Sequence, residues 1–330
     1  QLHSRLHSFP TRRSSDLPLD THSGAVMFGE GRVTICPAFD CIEKKSLLYW
    51  SYVYFGNGNG AEQEEKSMSL QFIMGNSGAG KSRYVYEKIL AEAARHPEKN
   101  YLIVVPEQFT MQTQKELVSL HPAGGILNID ILSFQRLAYR IFEETGGSLY
   151  PVLEETGKSL VVKRVAQEKK KELTILGNTL KRTGAVSQMK SLISELKQYQ
   201  IAPSELDMWA EETGEKKLLA AKLKDTGVIY RAFEEYLENR YVTAEDVLEV
   251  LAGKLEESAL IKNSEVLVDG FTGFTPVQIG VLGKLFRLCA KVYVTIIMDE
   301  REDPYKKAIP HQLFAMSRQL VQQLMKAADE

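Results

Sequence analysis

Gly75-Asn76-Ser77-Gly78-Ala79-Gly80-Lys81-Ser82 spells the phosphate-binding loop G-x-x-x-x-G-K-[ST] without a mismatch. Glycines let the backbone turn so that successive N–H groups, including the unpaired donors opening the next helix, face one point where the helix dipole also favours negative charge. In such a loop Lys81 reaches the β- and γ-phosphates of a nucleoside triphosphate and Ser82 ligates Mg²⁺. The flanks agree: Leu70-Gln71-Phe72-Ile73-Met74 predicts a short buried strand, and residues 81–94 predict a helix. Strand, loop and helix in this order predict an α/β fold with a P-loop NTPase core and a parallel sheet, with ATP and Mg²⁺ as ligands.

Working downstream, Tyr101-Leu102-Ile103-Val104-Val105 is a continuous apolar run stopped by Pro106, as for a parallel strand buried on both faces. Residues 126–132 predict a third, weaker strand, and Ser133 can cap a helix running to about Glu144 before Gly146-Gly147 closes it. From about 152 to 255 only helical spacing is present: Val186, Met189, Leu192, Ile193 and Leu196 form one stripe, and Ile229, Ala232, Phe233, Tyr236 and Leu237 another. Lys169-Lys170-Lys171 reads as a solvated helix face, and Thr243 with Asp246 as an N-cap arrangement. The α/β pattern then returns with the strand Glu265-Val266-Leu267-Val268-Asp269, a helix over 276–289 and a strand over 291–298 followed by Asp299. A last helix over 313–328 has no strand after it, which reads as a truncated product. The expected organisation is therefore a first part of the P-loop core over 68–150, an all-helical insertion over 151–255, and a return of the core over 256–330.

Upstream, residues 7–17, His-Ser-Phe-Pro-Thr-Arg-Arg-Ser-Ser-Asp-Leu, read as the translation of a sequencing adapter. Residues 1–67 are accordingly expected to be a non-native leader, with Met68 as the start, and they are left out of the fold. Phe55-Gly56-Asn57-Gly58-Asn59-Gly60 ends any strand begun by residues 47–54. The alternative is a genuine N-terminal hairpin or targeting arm.

Composition bounds the rest. The 330 residues are 44% hydrophobic and 25% charged, enough for a large core, and 41 Lys and Arg nearly cancel 43 Asp and Glu. Global charge thus gives no case for nucleic-acid or membrane binding, so any DNA contact must be local. No apolar run approaches the ~20 residues of a membrane span, which makes the cytoplasm the expected location. Cys36, Cys41 and Cys289 suggest neither a disulfide framework nor a metal cage.

A P-loop core interrupted by a long helical segment and resumed by an acid-ended strand resembles the first motor domain of superfamily 1 helicases, with a domain 1A-like core and a 1B-like insertion. Asp269-Gly270-Phe271-Thr272-Gly273-Phe274-Thr275-Pro276-Val277-Gln278 is similar to helicase motif II, D-E-F-Q-D-x-x-x-x-Q, with Asp269, Phe271 and Gln278 in register. The motif's glutamate is Gly270 here, and its first glutamine is Thr272. Together with Met68-Ser69-Leu70-Gln71-Phe72-Ile73-Met74-Gly75, Val105-Pro106-Glu107-Gln108-Phe109-Thr110 and Leu132-Ser133-Phe134-Gln135-Arg136-Leu137-Ala138, the chain resembles the AddB (RexB) family over essentially all of 68–330. The resemblance implies the N-terminal part of the AddB subunit of a helicase-nuclease that processes DNA double-strand breaks, with an AddA-type helicase-nuclease chain as partner and single- and double-stranded DNA as substrates. It also implies a helicase relic that helps read the hotspot Chi in the single strand. The family's 4Fe-4S cluster and nuclease-site metal are expected outside this chain.

Phosphoryl transfer to water needs phosphates positioned, Mg²⁺ held, a water oriented and charge stabilised on the transferred group. Asp269, ending its strand beside the loop, is the candidate Mg²⁺ partner together with Ser82. Gly270 has no side chain with which to orient water, so binding with slow turnover is expected. No catalytic residue and no arginine finger can be assigned. Gln108, Phe109 and Thr110 follow one strand and Ser133, Phe134 and Arg136 another, at the edge where α/β proteins place ligands. Hydroxyls and Arg136 suit phosphates, and Phe134 or Phe109 could stack on a base. Two rivals are a small-molecule or nucleotide kinase, which leaves the helical insertion unexplained, and a DNA-binding scaffold with a vestigial P-loop.

Overall fold

A computed structural model describes residues 25–28, 31–36, 50–55 and 70–329, except 123, 126, 148, 149, 214, 215, 300 and 308. Five strands run parallel: β4 (Leu70–Gly75), β5 (Asn100–Val104), β6 (Ile129–Leu132), β7 (Ser264–Val268) and β8 (Lys291–Ile297), in spatial order β4-β8-β7-β5-β6. One row across the sheet joins Phe72, Val294, Val268, Val104 and Leu132. These strands are apolar on both faces because helices cover both.

Alternation along each strand sorts the side chains into two layers. Ile73, Tyr101, Ile103, Val105, Leu267 and Tyr293 face α1 (Lys81–Arg95) and α2 (Thr110–Leu120), meeting Val85, Ile89 and Leu117. On the other face Phe72, Leu102, Val266 and Val294 pack in one cluster with residues of α3 (Phe134–Thr145). The sequence pattern signals α1 and α3 but not α2. Ser133 caps α3 as expected, accepting the Arg136 N–H at 3.3 Å, and Gly146 ends it at φ 78°.

The helical region comprises α4 (Glu155–Glu168), α5 (Leu176–Thr179), α6 (Thr183–Gln198), α7 (Pro203–Glu212), α8 (Lys217–Leu237) and α9 (Ala244–Lys254). Val162, Val186, Met189, Ile193, Leu196, Ile229 and Phe233 form a second core among these helices, separate from the sheet. Leu192, placed on the buried stripe by its spacing, is instead 39% exposed, because it lies off the face defined by Met189, Ile193 and Leu196. Helix α9 differs from the expected grouping: Val247 and Leu251, four apart, pack with Leu137, Ile141 and Leu282 in the sheet's core. Its N-terminus is fixed by the predicted cap, the Thr243 N–H donating to Asp246 Oδ2 at 2.8 Å and the Asp246 N–H to Thr243 Oγ1 at 3.4 Å.

After α10 (Ala259–Lys262) and β7, the chain forms α11 (Pro276–Leu288), then β8, then α12 (Ala315–Asp329). Helices α11 and α12 cross closely at Gly283, where a Cβ would lie 2.9 Å from the Ala327 carbonyl oxygen. Gln278, in register with the last glutamine of the helicase motif, closes a capping box: its Oε1 accepts the Thr275 N–H at 2.9 Å, worth about 1 kcal/mol.

The segment expected to be a leader outside the fold contributes backbone to the sheet. Strands β1 (Ala25–Phe28), β2 (Gly31–Cys36) and β3 (Trp50–Phe55) pair antiparallel in sequence order, and β3 lies along β4. Arg32-Val33-Thr34-Ile35 and Trp50-Ser51-Tyr52-Val53-Tyr54-Phe55 have the β-branched and aromatic content that pairs with an open edge such as that of β4. The other expectations for residues 1–67 and for Cys36 and Cys41 fall outside the described side chains.

Candidate functional site

The sheet's carboxyl edge brings the loop and the acid together. Gly75 ends β4, and the turn that follows uses positive φ at Gly78 (76°) and Gly80 (84°), conformations that glycine adopts without strain. The Ala79 N–H closes on the Asn76 carbonyl at 3.1 Å, and Lys81 opens α1. Ser77 and Gly78 are exposed at the loop's tip. Lys81 is 8% exposed and its ammonium folds back over the loop, donating to the Gly75 and Asn76 carbonyls at 2.9 and 2.8 Å. Burial lowers its pKa, and the charge of Asp269 opposes that shift.

Asp269 sits one residue beyond β7 and is 5% exposed, its N–H bound to the Val104 carbonyl at 3.0 Å. Alternation turns its side chain to the α1 face, shared with Leu267 and Ile73. There Oδ1 accepts from Ser82 Oγ at 3.0 Å and from Thr295 Oγ1, while Oδ2 accepts from the Tyr86 hydroxyl at 2.6 Å. Ser82 and Tyr86 are one helical turn apart and so reach the carboxylate from the same face. Burial, then the charge and hydrogen bond of Asp269, push the Tyr86 phenol far up, keeping it a neutral donor. Hydroxyl and carboxylate oxygens are the hard donors that Mg²⁺ takes beside water and phosphate, so Ser82 and Asp269 fit that ion. Among the described residues no cluster of three or more His, Cys, Asp or Glu could hold a metal.

A second carboxylate flanks the loop. Asp299, following β8, accepts from Asn76 Nδ2 at 3.2 Å and from Arg301 Nε at 2.8 Å. Hydrogen bonds from Arg301 hold its carboxyl well below the usual range. Tyr86, Thr295 and Arg301 are site residues that the sequence pattern did not single out. Helical spacing from Ser82 could have suggested Tyr86, whereas Thr295 depends on β8 lying between β4 and β7.

Gly270 stands beside this centre with φ 79°, and a Cβ there would meet only Pro106 Cδ at 3.6 Å and Phe109 Cδ2 at 3.9 Å. Backbone conformation rather than lack of room makes glycine the fitting residue.

The strand-end loops divide by exposure. Gln108 and Arg136 are exposed, and Phe109 is 42% exposed on the 3₁₀ turn Glu107–Phe109. Arg136 Nε donates to Glu107 Oε1 at 3.1 Å, joining the two loops. Thr110 and Ser133 are buried, Thr110 Oγ1 bound to the Glu107 carbonyl at 3.0 Å and Ser133 spent on its cap. Phe134 is 5% exposed and packs edge-on against Phe271 and Phe274, with centroids 5.5 and 6.2 Å away. Its ring is core, which leaves Phe109 as the exposed aromatic of the two considered for stacking.

The family model described as ADDB, N-terminal, matches residues 72–330. The chain is similar to the B subunit of the ATP-dependent helicase/deoxyribonuclease of Lachnoclostridium phytofermentans, 48% identical over 257 residues, covering 78% of this chain and 22% of the relative. The protein of the same name from Moorella thermoacetica is 38% identical over 237 residues, 70% of this chain and 21% of the relative. That from Caldanaerobacter subterraneus is 35% identical over 265 residues, 79% and 22%. The chain spans about a fifth of the length of these relatives.

Proposed function

Because the chain belongs to the AddB N-terminal family, we propose that it is the helicase-like, MgATP-binding region of a helicase-deoxyribonuclease. The carrying observation is the 3.0 Å hydrogen bond from Ser82 to Asp269 beside a complete phosphate loop. The five-stranded sheet is the counterpart of a superfamily 1 domain 1A, and the second helical core that of 1B.

In this reading the loop amides and Lys81 hold the triphosphate, and Lys81 exchanges its two loop carbonyls for phosphate oxygens. Ser82 and Asp269 would hold Mg²⁺, which would supply positive charge to offset that of the phosphates. Tyr86 and Thr295 hold the Asp269 carboxylate in place through their hydrogen bonds. Gly270 supplies no carboxylate, so hydrolysis by the chain alone is slow.

The family reading extends to an AddA-type partner, to double-stranded ends and single-stranded DNA, and to help in reading Chi during break repair in the cytoplasm. Gln108, Phe109 and Arg136 support it as exposed groups at the strand-end edge. In the same reading the family's 4Fe-4S cluster and nuclease-site metal would lie outside this chain.

The test is MgATP affinity of the chain and its Lys81→Ala variant, with hydrolysis measured in the same samples. Affinity should fall at least about tenfold in the variant. Phosphorylation of a small acceptor would favour a kinase, and DNA binding without MgATP affinity a scaffold.

A further inference from the structure

We propose that the start of α8 is a docking surface for an acidic amphipathic helix of a partner protein. Leu218 and Leu219 form its apolar floor, and Lys216, Lys217 and Lys222 its charged rim. The surface lies in the helical region, apart from the phosphate loop, and its occupant is recognised without nucleotide.

These five residues line one open groove of about 560 Å³. Two local rules are broken there together. Further along α8, Ile229, Phe233 and Leu237 are buried in the helical core, whereas Leu218 and Leu219 are 62% and 43% exposed. Lys216 caps α8 and Lys217 opens it, at the end where the helix dipole is positive and cations are disfavoured, with no acid in the first turn to offset them. Lys216, Lys217 and Lys222 make no ion pair among the described residues, although Glu211 and Glu212 are exposed at the end of α7. Other lysines of the same helical region are spent differently: Lys158, Lys190 and Lys197 are paired with Glu245, Glu155 and Glu234. Exposed leucines inside a rim of uncompensated cations are what a partner with the opposite pattern would cover.

Charge and side-chain type select the occupant. A second copy docking through the same face would bring like charges together, which the three lysines oppose. A nucleic acid would use the lysines and leave the leucines idle, because aliphatic side chains offer bases no stacking platform. A helix with apolar anchors at i, i+3, i+4 and i+7 and Asp or Glu beside them uses both.

The probe is a fluorescein-labelled synthetic helix with leucines at that spacing and glutamates flanking them, titrated with the full 330-residue chain by anisotropy. Two control peptides replace either the glutamates by lysine or the leucines by serine. Two variants are compared, Leu218→Ser with Leu219→Ser, and Lys216→Glu with Lys217→Glu and Lys222→Glu, each first shown by thermal melting to be folded. The parent should bind the glutamate-leucine helix saturably and at least about tenfold tighter than either control. The leucine variant should lose that margin, and the charge-reversed variant should switch its preference to the lysine-leucine helix. Equal affinity for the serine control, or binding indifferent to both variants, overturns the proposal. So does a single-stranded oligonucleotide that binds the parent but not the leucine variant, which would make the surface a nucleic-acid site. A dimer in sedimentation that the leucine variant abolishes would assign the surface to a second copy and overturn it likewise.

Discussion

Asp269 accepts three hydroxyl donors, from Ser82, Tyr86 and Thr295, and the residue after it has a backbone that suits glycine. This pairing decides what substitution at 270 can do. Gly270→Glu supplies the glutamate of helicase motif II on paper, yet an L-residue at φ 79° carries a strain of about 1–2 kcal/mol even though its Cβ meets only ordinary contacts. Denaturant unfolding should show that loss, and basal hydrolysis should stay slow; full stability with brisk basal turnover would contradict this account. Tyr86→Phe removes the 2.6 Å donor while keeping the ring, so the Mg²⁺ concentration needed for half-maximal ATP binding should rise several-fold. An unchanged Mg²⁺ requirement would detach Asp269 from the metal.

Helices meet the sheet through a buried ion pair. Lys158 of α4, 2% exposed along its side chain, donates to both oxygens of Glu245 in the first turn of α9 at 3.0 and 2.9 Å. Burial acts to raise the Glu245 carboxyl, and the hydrogen bond and charge of Lys158 outweigh it, leaving the group below its ordinary 4.5. The pair's contribution is therefore present above about pH 4.5 and lost as pH falls through the lower folded value. Lys158→Met leaves Glu245 buried without that partner, and urea unfolding near neutral pH should show a loss of about 3–5 kcal/mol. The loss should shrink in acid, where Glu245 is protonated; a pH-independent loss would point to packing instead. Such pairs explain what the sequence could convey. The strands of the parallel sheet, α1, α3 and the Thr243 cap were legible because their causes are local: apolar runs, Gly146, Ser133, Thr243 with Asp246. The place of α9 was not, because Val247 and Leu251 say only that one face is buried, not in which core. Phe134 was ambiguous for the same reason, and α2 has a mixed pattern that signals little on its own.

The whole molecule joins two cores, with the P-loop and Asp269 at one edge of the sheet and β1 to β3 extending its β4 side. The family match begins at Phe72, so MgATP affinity should survive deletion of residues 1–67, and failure of that shortened chain to fold would give the β3–β4 ladder a required role. The phosphate loop was legible from eight residues, but its pairing with Asp269 spans 187 positions and required the strand order to be seen. The most direct test of that pairing is equilibrium titration of MgATP into the 330-residue chain, Lys81→Ala and Asp269→Ala, at several Mg²⁺ concentrations. Saturable binding is expected, weakened at least about tenfold by Lys81→Ala and with its Mg²⁺ dependence lost in Asp269→Ala. Binding indifferent to both substitutions, or no binding by the parent chain, would contradict it.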